Sequence, residues 1–227
     1  MMESLHDLLL PYKEEVGKLA GIVTIAQFFS GIFICRDIYN QGSTKGISSI
    51  PFVGGITIGV LNLKYGFLLQ DEVMNVVNTA AIILNLLYLS FYFLYSNNTW
   101  GDIYKPGIYG ALLVSVCLGY TEVESPDLLE YRYGLLVTVL MLLLMGSPLI
   151  DIKTIISSKD ASSIPFPLTF MAAIVTFLWL LYGIILDNTF MVVQNVLGFL
   201  VCFVQLVLIF LYTPVPKENK EKTKKKK

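Results

Sequence analysis

The octapeptide Lys45-Gly-Ile-Ser-Ser-Ile-Pro51-Phe52 returns as Lys159-Asp-Ala-Ser-Ser-Ile-Pro165-Phe166, 114 residues further on. Around this pair the spacing is 117. It joins Ser30-Gly31 to Ser147-Pro148, Tyr65-Gly66 to Tyr182-Gly183, Asn78 to Asn195, and Phe93-Leu94-Tyr95 to Phe210-Leu211-Tyr212. Two compensating three-residue length changes account for the local dip. One offset that holds across polar, aromatic and glycine positions marks an internal duplication.

Composition says what kind of unit is duplicated. The 227 residues are 55 % hydrophobic and 15 % charged, with a mean hydropathy of +0.68. A soluble domain carries about 25 % charged residues. A chain this apolar cannot cover a water-facing surface, which excludes a soluble enzyme, a disordered chain and a receptor with a large ectodomain. A net charge of −1 provides no basic field for nucleic acid. A span needs about 20 apolar residues. The apolar runs predict seven spans, at about 17–38, 48–69, 73–95, 104–121, 131–152, 164–186 and 190–212. The fourth is the weakest, crowded by Pro106, Gly107, Gly110 and Gly119. The opening MMESLHDLLLPYKEEVGK does not read as a cleavable signal peptide, so the first span is the expected targeting signal.

Each repeat holds three of these spans. Such a unit ends on the side opposite its start, so a second copy in the same orientation requires one extra crossing. The fold expected is therefore an all-α membrane protein of seven transmembrane helices, arranged 3+1+3 with two parallel three-helix-bundle repeats. The expected organisation is an extracellular N-terminus (1–16), a first repeat (17–95), a linker region with the fourth span (96–125), a second repeat (126–212) and a basic tail (213–227). With the N-terminus outside or lumenal, 12 of the 16 basic residues fall on the cytosolic side and 11 of the 17 acids on the other. The positive-inside rule favours that orientation, with a cytosolic C-terminus. Parallel repeats are a transporter signature, with the substrate site expected at the repeat interface near the midplane.

The chain resembles the SWEET sugar transporters over about residues 17–212, with the look of an animal member. The resemblance is carried by Ser-Ile-Pro51-Phe52, Tyr65-Gly66, Val77-Asn78-Thr79, Ser147-Pro148-Leu149, Ser-Ile-Pro165-Phe166, Trp179-Leu-Leu-Tyr182-Gly183 and Gln194-Asn195, together with the 3+1+3 pattern. It implies facilitated, bidirectional movement of mono- or disaccharides, with no cofactor and no catalytic residue. It leaves a homo-oligomer open.

Asn78 and Asn195 are the leading substrate-binding candidates. An amide offers donors and acceptors to a sugar hydroxyl without the desolvation cost of a charge. In a membrane the alternative is interhelical glue, which is the reading for Asn85 and Gln205, whose repeat mates are Cys202 and Tyr88. In the SWEET family the asparagines matching Asn78 and Asn195 contact sugar. Trp179 offers an indole face to a pyranose, and its repeat mate is Asn62. The expected pocket is thus asymmetric, with a stacking wall on one side and an amide on the other.

Pro51, Pro148 and Pro165 sit near the expected cytoplasmic span ends. The family resemblance implies a hinge and inner gate of four prolines, but the fourth position is Gly31 here. Glycine keeps its N–H and imposes no ring clash. For Pro51 and Pro165, simple punctuation of helix starts remains an alternative. Tyr65 and Tyr182, with Asp187, are candidates for an outer gate; an interfacial aromatic belt is the other reading. Gly55-x-x-x-Gly59 hints at a close helix contact.

Other chemistry lacks its residues. No Asp or Glu stands at the middle of an expected span, so nothing couples transport to protons or sodium. His6 is the only histidine, and the spacing of Cys35, Cys117 and Cys202 fits neither a metal site nor a disulfide framework. The tail KENKEKTKKKK reads as a solvated end or a binder of anionic membrane lipid. Its last four lysines also resemble a dilysine retrieval signal, so plasma membrane and Golgi are both expected locations. A PQ-loop-like carrier of amino acids or another small polar solute is the competing transporter reading, although the chain has no Pro-Gln dipeptide.

The orientation is open to a direct test. Asn97-Asn98-Thr99 is a glycosylation sequon placed on the cytosolic side. In cells, glycosidase treatment is expected to leave the protein's mobility unchanged; a glycan at Asn97 inverts the topology.

Overall fold

The computed structural model describes residues 2–144 and 146–212, with backbone only at 2, 3 and 146–151. Among the described residues every regular element is helical. The elements are α1 (Met2–Leu9), α2 (Lys13–Phe28), α3 (Gly31–Gln41), α4 (Ile50–Leu68), α5 (Glu72–Tyr95), α6 (Lys105–Val123), α7 (Pro126–Leu144), α8 (Gly146–Ser158), α9 (Phe166–Ile185) and α10 (Thr189–Leu211). A 3-10 turn, Leu10–Tyr12, joins α1 to α2, and a π-helical turn, Trp100–Tyr104, leads into α6.

Among the described residues six helical runs are long and apolar enough to cross a bilayer: Ser4–Gln41, Ile50–Leu68, Glu72–Tyr95, Trp100–Val123, Phe166–Ile185 and Thr189–Leu211. Four of these lie within two residues of expected spans at both ends, and the weak fourth span is a helix four residues longer at its start. The first run begins well before the apolar stretch that reveals it, because α1 and α2 extend into polar sequence. The expected fifth span, 131–152, crosses Met145, which lies outside the described residues; α7 and α8 flank it. The tail from residue 213 lies outside them too.

The chain divides into two compact units, one of residues 17–137 and one of the segment through Val16 together with the chain from Thr138 on. In the first unit, α4 and α5 form the closest seam. A Cβ added at Gly55 would stand 2.6 Å from the Asn85 amide, and one at Gly59 would stand 2.9 Å from Ile82. Small residues four apart share one helix face, so the glycine pair lets two backbones approach. At one end of this unit Ile38, Phe52, Tyr88, Tyr92 and Ile103 form a buried core. The Tyr92 hydroxyl donates to Ile47 O at 2.8 Å.

In the second unit α9 packs on α10, and Ile155 and Ala161 bury against Leu208. α1 also packs on α9, where His6 Nδ1 donates to Ile184 O at 3.1 Å.

The duplication is visible in bond lengths. Between α4 and α5, Gln70 takes φ 53°, and between α9 and α10, Asp187 takes φ 50°. Asp71 N–H donates to Gly66 O at 3.0 Å; Asn188 N–H donates to Gly183 O at 2.9 Å. Asp71 Oδ1 then caps α5 through Met74 N–H at 2.8 Å, and Asn188 Oδ1 caps α10 through Met191 N–H at 2.9 Å. A Cβ on Gly66 would meet Met74 Cβ at 3.0 Å, and one on Gly183 would meet Met191 Cβ at 3.0 Å. A side chain at either glycine would push the next helix away.

The Ser-Ser-Ile-Pro-Phe motifs break this symmetry. Ser49 O is the first acceptor for α4, bonding Phe52 and Val53, whereas Pro165 O is the first acceptor for α9, bonding Leu168 and Thr169. Pro51 thus lies inside the first turn of α4, and Pro165 is the N-cap of α9. Of the three-residue drop in the sequence offset, two residues are a local shift of the motif relative to the helix it starts.

Losing an N-cap side chain costs about 0.5–2 kcal/mol. Asp71→Ala and Asn188→Ala are therefore expected to lower thermal stability by similar amounts in purified protein. A large effect from one and none from the other would show that the two turns are not energetic equivalents.

Candidate functional site

Asn78 sits in the first third of α5 and Asn195 at the same place in α10. Both are partly buried. Asn78 Nδ2 donates to Met74 O and Asn195 Nδ2 to Met191 O, each at 2.8 Å. The back-bond fixes the amide plane and leaves Oδ1 and the second N–H to a partner. Asn85 makes the same back-bond, to Ala81 O at 2.8 Å, so that bond does not distinguish a site. Packing does. The Asn85 amide covers Gly55 in the α4–α5 seam, which fits the glue reading for it.

Trp179 is half-buried and meets Tyr182 edge to face, with ring centroids 5.7 Å apart. Asn62, its repeat mate, is partly buried on α4. The two tyrosines read as gates are core side chains, each 2 % exposed. Tyr65 packs on Tyr133 of α7 at 6.4 Å, and the Tyr133 hydroxyl donates to Leu61 O at 3.2 Å. Such burial does not fit an interfacial belt, whose rings face headgroups. Asp187 is exposed in the turn after α9.

The residues read as a hinge stand in different settings. Pro51 and Pro165 stand at helix starts, where a missing N–H costs no intrahelical bond. The side chain of Pro148, in α8, lies outside the described residues. Gly31 is buried where α2 gives way to α3.

Three residues escape the repeat comparison. Gln194 Nε2 donates to Thr138 Oγ1 at 2.6 Å, tying α10 to α7 beside Asn195. Tyr133 is fully buried, but its sequence neighbours mark it as an interfacial residue. Asn75, one turn before Asn78, has a buried Oδ1 without a partner among the described residues, set over Gly66. Its repeat mate is Val192, so symmetry passes over it; its i, i+3 spacing from Asn78 was the available signal.

Electrostatics concentrates away from these residues. Glu124, just after α6, accepts from the Tyr120 hydroxyl and from Arg132 Nη1 at 2.8 Å. Those bonds, Tyr120 first, hold its carboxyl near a pKa of about 2. A lowered carboxylate pKa adds stability above the ordinary carboxylate range, and that stability is lost only as pH falls toward 2. Glu124 therefore stays ionised through the physiological range. Cys35, Cys117 and Cys202 are free thiols, Cys117 buried and the others partly so. No group of three metal-ligating side chains occurs among the described residues.

The family described as "Sugar efflux transporter for intercellular exchange" matches this chain twice, at residues 14–100 and 132–217. "Sugar transporter SWEET1" of Drosophila pseudoobscura pseudoobscura is 29 % identical over 203 residues, covering 88 % of this chain and 90 % of that protein. "Sugar transporter SWEET1" of Rattus norvegicus is 30 % identical over 199 residues, covering 85 % and 88 %. "Bidirectional sugar transporter SWEET9" of Arabidopsis thaliana is 27 % identical, covering 89 % and 82 %. A solved eukaryotic SWEET transporter shares the fold, with a TM-score of 0.77, 20 % identity, and coverage of 91 % of this chain and 99 % of that one. The two family matches fall on the two copies read from the sequence and together cover most of it, and the chain belongs to the SWEET family.

Proposed function

We propose that this chain is a facilitative, bidirectional sugar transporter that works by alternating access. It is a multi-pass membrane protein of a transporter family, not an enzyme. The carrying observation is the pair of asparagines at one offset, at the same place in matching helices of a duplicated SWEET chain. Asn78 and Asn195 each contribute an amide to one sugar. Trp179 stacks on the sugar ring, and Asn62 supplies a further amide. Tyr65, Tyr182 and Asp187 act at the outer gate, and Gly31, Pro51, Pro148 and Pro165 at the inner hinge.

Seven spans in a 3+1+3 order, with the N-terminus outside or lumenal and the C-terminus cytosolic, complete the reading. The protein works at the plasma membrane, the Golgi or both, and the basic tail holds anionic lipid. Uniport follows from the missing midplane carboxylate, since a coupled carrier needs an ionisable or densely coordinating group there.

Reconstituted protein is expected to equilibrate a labelled sugar tested across glucose, galactose, fructose and sucrose. Flux is expected to reverse with the gradient and to respond little to pH or sodium. Accumulation driven by an imposed proton gradient contradicts uniport, and absence of flux with all four sugars contradicts the sugar reading.

Replacing Asn78 or Asn195 by Ala leaves a desolvated hydroxyl without a partner, at a cost of about 1–3 kcal/mol. That is about 5- to 150-fold in sugar affinity. Asn85→Ala is expected to lower stability more than transport, because its amide fills the helix seam. Normal transport by both Asn78→Ala and Asn195→Ala, at matched surface expression, rules these residues out as the sugar site.

A further inference from the structure

The first span is not one continuous helix. Between α2 and α3 the backbone tightens: Phe29 N–H bonds to Ala26 O at 3.3 Å, Ser30 N–H to Gln27 O at 2.9 Å, Ile32 N–H to Phe29 O at 3.0 Å and Phe33 N–H to Ser30 O at 3.1 Å. All four are i−3 bonds. In a continuous α-helix the Ile32 N–H would bond to Phe28 O. A side chain from another helix serves that carbonyl: the Tyr88 hydroxyl donates to Phe28 O at 3.2 Å.

The Tyr88 ring is seated by the break. A Cβ on Gly31 would stand 2.3 Å from Tyr88 Cε2 and 2.6 Å from Cδ2. Only glycine leaves that space. Tyr88 is 8 % exposed and leans on Phe52 of α4, with centroids 5.7 Å apart, in a core that Cys35 of α3 packs against. Tyr88 therefore touches the last turn of α2, the first residue of α3 and the start of α4. The second repeat has other residues at these two positions, Pro148 at that of Gly31 and Gln205 at that of Tyr88.

We propose that Tyr88 is a positioning residue for the first-half hinge: it pins the Phe28 carbonyl while its ring serves as the surface over which α3 turns about Gly31. This rests on the alternating-access reading above. A proline loosens a helix from within, and the second half has Pro148 at this position. In the first, the loosening is the 3-10 turn, and a tyrosine from α5 supplies the definition that the missing ring would have given.

Tyr88→Phe keeps the ring and removes only the hydroxyl. Two measurements on the full chain test it: amide hydrogen exchange at residues 29–33, and zero-trans flux of radiolabelled D-glucose in liposomes. Exchange at 29–33 is expected to rise about 3- to 10-fold, with turnover falling by a similar factor and KM within twofold, as for loss of one hydrogen bond. Tyr92→Phe removes a hydroxyl bond from the same core and is expected to leave exchange at 29–33 unchanged. Unchanged exchange in Tyr88→Phe, an equal rise in Tyr92→Phe, or an effect confined to KM overturns the proposal. If the unmutated protein carries no glucose, the failure belongs to the choice of sugar or to the transport reading, and amide exchange alone decides the hinge.

Discussion

A helix end buried against its neighbour has carbonyl and N–H groups that water does not reach, and the capping residues Asp71 and Asn188 are 6 % and 8 % exposed. The turn between paired helices answers that constraint, and the rest of each repeat is arranged around it. Gly66 O receives the Asp71 N–H, Asp71 Oδ1 receives the Met74 N–H, and Gln70 adopts a left-handed conformation to bring the two together. Gly183, Asn188, Met191 and Asp187 do the same at the other end of the chain. Closing the backbone in so few residues sets α5 against α4 and α10 against α9, and so fixes where along each helix pair Asn78 and Asn195 stand. A cap and an asparagine seven residues apart on one helix are two consequences of one turn.

That dependence explains which parts of the molecule could be read from the sequence. The repeat was legible because Tyr65-Gly66 and Asn78 return at one spacing, the glycine placed for close approach of the next helix; the caps between them, Asp71 and Asn188, escaped the comparison because the two residue types differ. The helices were legible wherever apolar sequence and helix coincide, as in α4, α5, α9 and α10. The start of the first run was not, because α1 is held by contact with α9 and by His6 on Ile184 O rather than by its own hydropathy. The register of the Ser-Ser-Ile-Pro-Phe motifs was hidden for a similar reason. Identical residues start their helices two positions apart, and Pro167 takes the first-turn place that Pro51 takes in the other copy.

The same limit applies to the candidate site. Repeat symmetry selects Asn78 and Asn195 and passes over anything that only one half contains. Asn75, Tyr133 and the Gln194–Thr138 bond belong to that class. A two-fold substrate would need only the symmetric pair. A sugar presents different groups on its two sides, so under the proposed function discrimination between sugars falls to residues present once, such as Trp179, whose repeat mate is Asn62.

Asymmetry also reaches the moving parts. A proline weakens a helix through its own covalent structure, and the weakness is present whatever surrounds it. A glycine weakens a helix by what it omits, and the geometry of the bend is then set by the neighbours. At Gly31 the neighbour is a tyrosine with one hydroxyl to give, and it gives it to a carbonyl at the break. A bend fixed by a side chain from a second helix is coupled to that helix, whereas a bend fixed by a proline ring is not. The first half of this transporter thus links the tilt of α3 to α5, the helix that carries Asn78, so a change at the amide and a change at the break share one rigid element.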